Sequence, residues 1–213
     1  MSSPSSRRTG SFAPSAMVPE RLPPRRRWNE RYASLPPDAR REPVPFVAGC
    51  LAQLPVSGRA LDIATGAGRH AIALARHGLQ VDAVDISAQG IALAQQRLSE
   101  AQLPAARIQF IIADIERPWL PCARYDVVLV SFFLHRPLFP LIRERLRPGG
   151  RLIYESFTTA QQIAPNNQPI RSHFMLKPNE LRTAFSDFEI LQYDEGLHHG
   201  KETAQLLARK PRQ

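Results

Sequence analysis

The segment Leu61 to Ala71, LDIATGAGRHA, carries an apolar run into Gly66-Ala67-Gly68 and begins a helical pattern at once. Glycines at that spacing let the backbone approach a ligand closely. The unpaired N–H groups of the helix start can meet a polar or anionic part of it. Asp85 stands 19 residues after Gly66, where the next apolar run ends. A carboxylate there suits the hydroxyls of an adenosine ribose. The string Gly66-Ala67-Gly68-Arg69-His70-Ala71 fits the dinucleotide fingerprint as well as a nucleoside sulfonium site, because NAD and S-adenosylmethionine share their adenosine half. Two further acids separate them. Asp62, four residues before Gly66, would repel a pyrophosphate and suits the amino group of a methionine moiety. Asp114 closes a third run in Ala113-Asp114-Ile115-Glu116, placed to accept from an adenine amine. Ala64, Ile86, Ile115 and Ser131 adjoin these run ends and are expected to line the same cleft. Each acid alone has a plainer reading, Asp85 as a helix cap and Asp114 as a turn residue. Jointly, at successive strand ends beside a glycine turn, they favour a nucleoside site.

His135 and Arg136 follow a fourth apolar run, Tyr125 to Phe132. A histidine near its free pKa suits proton removal, and a guanidinium offers forked donors to an oxyanion, so both are candidates for handling a second substrate. The alternative for Arg136 is a surface ion pair with Glu144 or another acid. Trp28, Arg31 and Tyr32 are expected to form a lid or an anchored tail. Arg171 and His173 read as solvated loop residues. His198 and His199 are adjacent, with no third ligand type nearby, so no metal site is expected.

These residues need strands and helices in alternation. Helices are expected over Val44 to Leu54, Arg69 to His77, Ala88 to Gln102, Leu138 to Leu146 and, capped by Asn179, Glu180 to Phe185. Strands are expected over Arg59 to Thr65, Gln80 to Ile86, Ile108 to Asp114, Tyr125 to Phe132 and Arg151 to Phe157, the last opened by Pro148-Gly149-Gly150. A closing pair covers Phe188 to Tyr193 and Thr203 to Arg209. Such alternation specifies an α/β, doubly wound sheet with helices on both faces, whose ligand sits beyond the carboxyl ends of the strands.

With 213 residues, 43% of them hydrophobic, the chain can bury one core of ordinary size. Residues 1–27 hold six arginines and one glutamate, a local charge of +5 out of a total of +9. This Ser/Pro/Arg-rich stretch lacks apolar periodicity and is expected to be a disordered basic tail, with 28–43 a linker or lid and 44–210 the folded domain. A basic tail is weaker ground for nucleic-acid binding than a basic groove, so nucleic acid is disfavoured as a partner. No apolar run is long enough for a membrane span or a signal peptide, and two isolated cysteines, Cys50 and Cys122, read as buried in a reducing compartment. A cytoplasmic location is therefore expected. Nothing in the pattern specifies an oligomeric state.

On Asp62, Ala64, Gly66, Gly68, Asp85 and Asp114-Ile115, residues 44–210 resemble the class I S-adenosylmethionine-dependent methyltransferases. Ala64 stands where that family commonly has glycine. The resemblance implies a seven-stranded, mostly parallel sheet of order 3-2-1-4-5-7-6 with the last strand antiparallel, and S-adenosylmethionine as cofactor. WNERYAS (Trp28 to Ser34), GRHAIALAR and SFFLHRPLF (Ser131 to Phe139) are similar to the tellurite-resistance-type small-molecule methyltransferases, where such an N-terminal segment can cover the site. That likeness implies methyl transfer to a small oxyanion, thiol or amine. The rivals are a nucleic-acid or protein methyltransferase, a non-catalytic binding module and an NAD(P)-dependent oxidoreductase.

Overall fold

The computed structural model describes residues 22–36, 38–39, 41–117, 119–161 and 172–212. In chain order these form α1 (Pro24–Ala33), α2 (Pro45–Cys50), β1 (Arg59–Ile63), α3 (Arg69–Arg76), β2 (Gln80–Asp85) and α4 (Ala88–Glu100). There follow β3 (Ile108–Ile112), β4 (Tyr125–Ser131), α5 (Leu138–Arg145), β5 (Leu146–Phe157), α6 (Glu180–Ala184), β6 (Glu189–His198) and β7 (Lys201–Arg209). The strands make one sheet of order β3-β2-β1-β4-β5-β7-β6. Only β7 runs against its neighbours.

The central strands β1, β2 and β4 are buried on both faces, which requires a sheet covered on both sides. One face packs Ile63, Val130, Tyr154 and Leu206 against α5 and α6 residues such as Ile142 and Leu181. The other packs Leu129, Ile153 and Leu207 against Val47 and Cys50 of α2 and Leu74 of α3. α2 is pinned to α3 by the Val44 N–H, which donates to His70 Nε2 at 3.3 Å. Accepting that bond requires a neutral imidazole, and burial pushes the His70 pKa well below its usual value.

Four expectations need correcting. Residues 24–27 are not part of a disordered tail: α1 begins at Pro24, whose fixed φ suits a first helical position, and it packs along α4. Residues 1–21 lie outside the described chain. Pro148-Gly149-Gly150 does not end the preceding element. β5 already pairs at Leu146 opposite Tyr125, and residues 147–150 bulge out before pairing resumes at Arg151 opposite Val127. Asn179 occupies the N-cap position of α6 without capping it. It sits at φ 56 with no side-chain bond to the helix, and the Glu180 carboxylate instead accepts from the Lys177 N–H at 2.8 Å. Finally, Cys50 is buried but Cys122, in the connection between β3 and β4, is exposed.

Candidate functional site

The glycine turn joins β1 to α3 at the carboxyl edge of the sheet. Gly66 and Gly68 adopt φ 57 and 78, which L side chains rarely adopt. A Cβ on Gly68 would lie 2.7 Å from the Ala94 side chain, so the glycine lets α3 start against α4. One on Gly66 would collide with the Tyr32 hydroxyl. Ala64 precedes the turn at φ 59 and Phe132 follows β4 at φ 54. These are left-handed conformations that cost a residue with a Cβ about 1–2 kcal/mol each. Backbone strain is thus held at the facing ends of two adjacent strands, a placement characteristic of ligand sites.

The three acids differ in environment. Asp62 is fully enclosed, accepts from the Thr65 hydroxyl at 2.5 Å, and is pushed up to about 7 by that burial. Asp85 is also buried. Its Oδ2 accepts from the Gly66 N–H and its Oδ1 from the Ser87 N–H, both at 2.8 Å. Burial raises its pKa while those N–H groups pull it back. Asp114 is half-buried and accepts from the Glu116 N–H at 3.1 Å. With Ile86, Ile112, Ala113, Arg117 and Trp119, it lines an open cleft of about 590 Å³ whose far wall is Pro23, Pro24 and Arg25 of the N-terminal segment. Apolar plates around one carboxylate fit a flat heterocycle with an exocyclic amine. Ile115 is different: its side chain is in the core, leaving only its backbone for a ligand.

α1 roofs this region. Asn29 Oδ1 accepts from the Ser87 hydroxyl at 2.8 Å, at the start of α4. The Tyr32 ring covers Gly90, where an added Cβ would meet it at 3.0 Å. Trp28 stacks on Tyr32 with centroids 6.1 Å apart, and the Arg31 guanidinium lies 5.1 Å over Trp28. The cradle made by Gly66 and Gly90 is therefore the size of an aromatic side chain, and a nucleoside amino acid fits the combined turn, acids and cleft. When bound there, S-adenosylmethionine would be held by Asp62, Asp85, Asp114 and the Gly66–Gly68 turn.

At the end of β4, Ser131 is half-buried, and its hydroxyl oxygen and His135 Nε2 are both enclosed without a hydrogen-bond partner among the described residues. Arg136 is engaged elsewhere. Its Nε and Nη2 donate to the two Glu180 oxygens, and Nη1 and Nη2 donate to the carbonyls of His173 at 2.8 Å and Met175 at 3.0 Å. Four of its five donors thus fasten the 173–180 segment, and the guanidinium is not presented as a fork to an oxyanion. Its partner is Glu180 rather than Glu144. His173 is exposed, and Arg171 falls outside the described residues.

Three contributors carried no sequence signal of their own. Trp119 follows no periodic run, yet lines the cleft. Arg97 of α4 is buried, donating to the Ala39 carbonyl at 2.6 Å and the Ala67 carbonyl at 3.5 Å. It thereby ties the segment after α1 to the glycine turn. Glu155 sits in the apolar-looking run of β5 and is buried with one oxygen that has no partner among the described residues.

Comparison with known proteins bears on the domain and the fold. Residues 60–150 match a family described as a methyltransferase domain. Demethylmenaquinone methyltransferase of Clavibacter sepedonicus is 34% identical over 120 residues, covering 53% of this chain and 47% of that protein. Hemagglutinin 1 of Eikenella corrodens is 29% identical over 196 residues, covering 80% of this chain and 58% of its own length. The chain thus spans about half the length of these curated relatives. Among solved structures, TehB from Haemophilus influenzae superposes with a TM-score of 0.64 at 23% identity, over 78% of this chain and 61% of that one. Magnesium protoporphyrin IX methyltransferase (ChlM) from Synechocystis PCC 6803 with bound SAM gives 0.60 at 22% identity, over 77% and 76%. At these identities the structural likeness speaks for the fold. Residues 60–150 thus carry a match to a methyltransferase domain, set in a sheet whose strand order is β3-β2-β1-β4-β5-β7-β6.

Proposed function

We propose that this protein transfers a methyl group from S-adenosylmethionine to a small-molecule acceptor by in-line displacement. The observation that carries the reading is the convergence of Asp62, the Gly66–Gly68 turn, Asp85 and Asp114 at the ends of three adjacent strands. The bound sulfonium supplies an already activated methyl group, so the chain's task is alignment and the exclusion of water.

Each part of that task has a candidate residue. Asp62 pairs with the methionine ammonium, Asp85 accepts from ribose hydroxyls on its remaining lone pairs, and Asp114 with Trp119 and Ile112 holds the base. Ala64, Ile86 and the backbone at Ile115 complete the lining. Tyr32 and Trp28, carried by α1, close the turn from solvent. Ser131 and His135 are assigned to the acceptor side, since the Ser131 hydroxyl and His135 Nε2 have no partner among the described residues. Support for a small acceptor comes from the compactness of the described chain: β4, α5 and β5 follow one another with no inserted element to grip a macromolecule.

Methyl transfer from labelled S-adenosylmethionine, assayed against small thiols, amines and oxyanions and separately against total RNA and protein, tests this. Label in a small product is the expected result. Label confined to RNA or protein would overturn the small-molecule reading, and failure to bind S-adenosylhomocysteine in calorimetry would overturn methyl transfer itself.

A further inference from the structure

Glu155 lies on β5 in register with Ser131 of β4 and Gln205 of β7. One register step deeper on the same face are Ile153, Leu129 and Asp62. Glu155 therefore shares a side of the sheet with Asp62, toward the carboxyl edge. The Arg69 guanidinium at the start of α3 acts on both carboxyls. Glu155 is only 4% exposed. Its Oε1 accepts from Gln205 Nε2 at 2.9 Å and from the Thr203 hydroxyl at 3.5 Å. Among the described residues its Oε2 has no partner, and neither has the Ser131 hydroxyl in the adjoining register position.

Two neighbouring enclosed polar atoms, both unpaired, are costly: each forfeits about 1–3 kcal/mol of solvation unless something meets it. A donor placed between them would satisfy both. Behind Oε1 the bonding continues outward. The Thr203 hydroxyl lies 2.8 Å from His198 Nδ1, and His198 Nε2 lies 2.9 Å from Asp194 Oδ2. Asp194 is exposed, so the chain of groups runs from a buried carboxyl to solvent.

We propose that Glu155, with Ser131 beside it, binds a protic methyl acceptor (an amine, hydroxyl or thiol) and takes its proton, which leaves through Thr203 and His198 to Asp194. The proposal rests on the methyl-transfer reading above and narrows its acceptor class. As the acceptor's lone pair forms the new bond to the methyl carbon, the carbon–sulfur bond breaks and its electrons return to sulfur. The proton on the acceptor atom passes to Glu155 Oε2, leaving a neutral methylated product, S-adenosylhomocysteine and a carboxylic acid. A half-turn of the carboxylic acid group brings the protonated oxygen to the Thr203 side, where the hydroxyl accepts that proton while turning its own to His198 Nδ1, and His198 gives its Nε2 proton to Asp194. An oxyanion acceptor would instead be repelled by the Glu155 carboxylate. The other charged or titratable groups around Glu155 are Lys201 of β7, Arg69 of α3 and Cys50 of α2. Burial raises the Glu155 pKa, which makes it a stronger base once ionised.

Labelled S-adenosylmethionine is offered with primary amines, phenols and thiols in one arm, and with selenite and tellurite in the other. Label in a protic product is expected, with Glu155→Gln lowering kcat about 100-fold at unchanged S-adenosylhomocysteine affinity and melting temperature. Thr203→Val, which keeps the side-chain shape, is expected to lower kcat and move the acid limb of its pH profile while leaving KM alone. An infrared carboxyl band present in the wild type and missing in Glu155→Gln is expected to shift when an amine binds without methyl donor. Transfer to oxyanions alone, or undiminished kcat in Glu155→Gln, overturns the proposal and leaves methyl transfer standing. Should Glu155→Gln prove unstable, an unaltered rate and pH profile in Thr203→Val overturns it equally. A wild type that does not bind S-adenosylhomocysteine removes the methyltransferase reading instead.

Discussion

The Asp85 carboxylate accepts from the Gly66 N–H at 2.8 Å, so the end of β2 is tied directly to the turn after β1. The residue expected to hold a ribose is also a strut of the turn beside it. Asp85→Ala orphans two buried N–H groups, those of Gly66 and Ser87, at about 1–3 kcal/mol each. The variant is expected to melt several degrees lower as well as to bind S-adenosylhomocysteine at least tenfold more weakly, roughly 1.4 kcal/mol. A melting temperature equal to the wild type's would show that the strut is not needed.

Asp62 makes pH a probe of the same site. Its folded pKa is about 7 against an unfolded value near 3.8, so the folded state holds the proton more tightly. The associated stability is fully present below about pH 4 and is lost as pH rises toward 7. Asp62→Asn is expected to flatten that decline and to melt higher than wild type above neutrality. Ligand affinity should move the opposite way. A methionine ammonium needs the carboxylate, so wild-type binding strengthens with rising pH, by at most about tenfold per unit, and levels off beyond 7. Calorimetry from acid to neutral pH checks this; a pH-independent affinity would take Asp62 out of the site.

Trp119 is 45% exposed on the rim of the Asp114 cleft. Stacking of an adenine there changes the polarity around its indole. Binding of S-adenosylhomocysteine is expected to alter tryptophan fluorescence in the wild type. Trp119→Phe should lose most of that change, leaving only the response of Trp28 on α1. An identical signal in the variant would put the base elsewhere.

Arg136 joins the β4–α5 connection to the 173–180 segment through Glu180 and two carbonyls. Arg136→Ala is expected to destabilise the fold by about 1–2 kcal/mol, a value held down by its partial exposure, while S-adenosylhomocysteine affinity stays within about twofold, roughly 0.4 kcal/mol. A large rise in acceptor KM with an unshifted melting curve would return Arg136 to the acceptor side.

Much of this molecule is written in local pattern. The alternation of short apolar runs with helical periods, and the glycine turn after the first of them, were enough to place β1 through β4 within a few residues, because period and turn chemistry are properties of neighbours in the chain. The acids at strand ends were legible for the same reason. What local pattern cannot carry is the choice among distant partners. Arg136 had the residue type for an oxyanion, yet Glu180, 44 residues away, and two backbone carbonyls take its donors. Arg97 lies in the helix α4, and the tertiary fold buries it as the tie between the glycine turn and the segment after α1. α1 itself has no buried residue and little apolar period, so its helix is held by what it docks against: Ser87 through Asn29, and the Gly66–Gly90 cradle through Tyr32. Glu155 is the sharpest case. Chain order puts a carboxylate inside an apolar strand without a reason, and only the register of β4, β5 and β7 gives it Ser131 on one side and Gln205 on the other. Periodicity is a one-dimensional signal, whereas a hydrogen bond between strands depends on register, which is set once the whole sheet has closed.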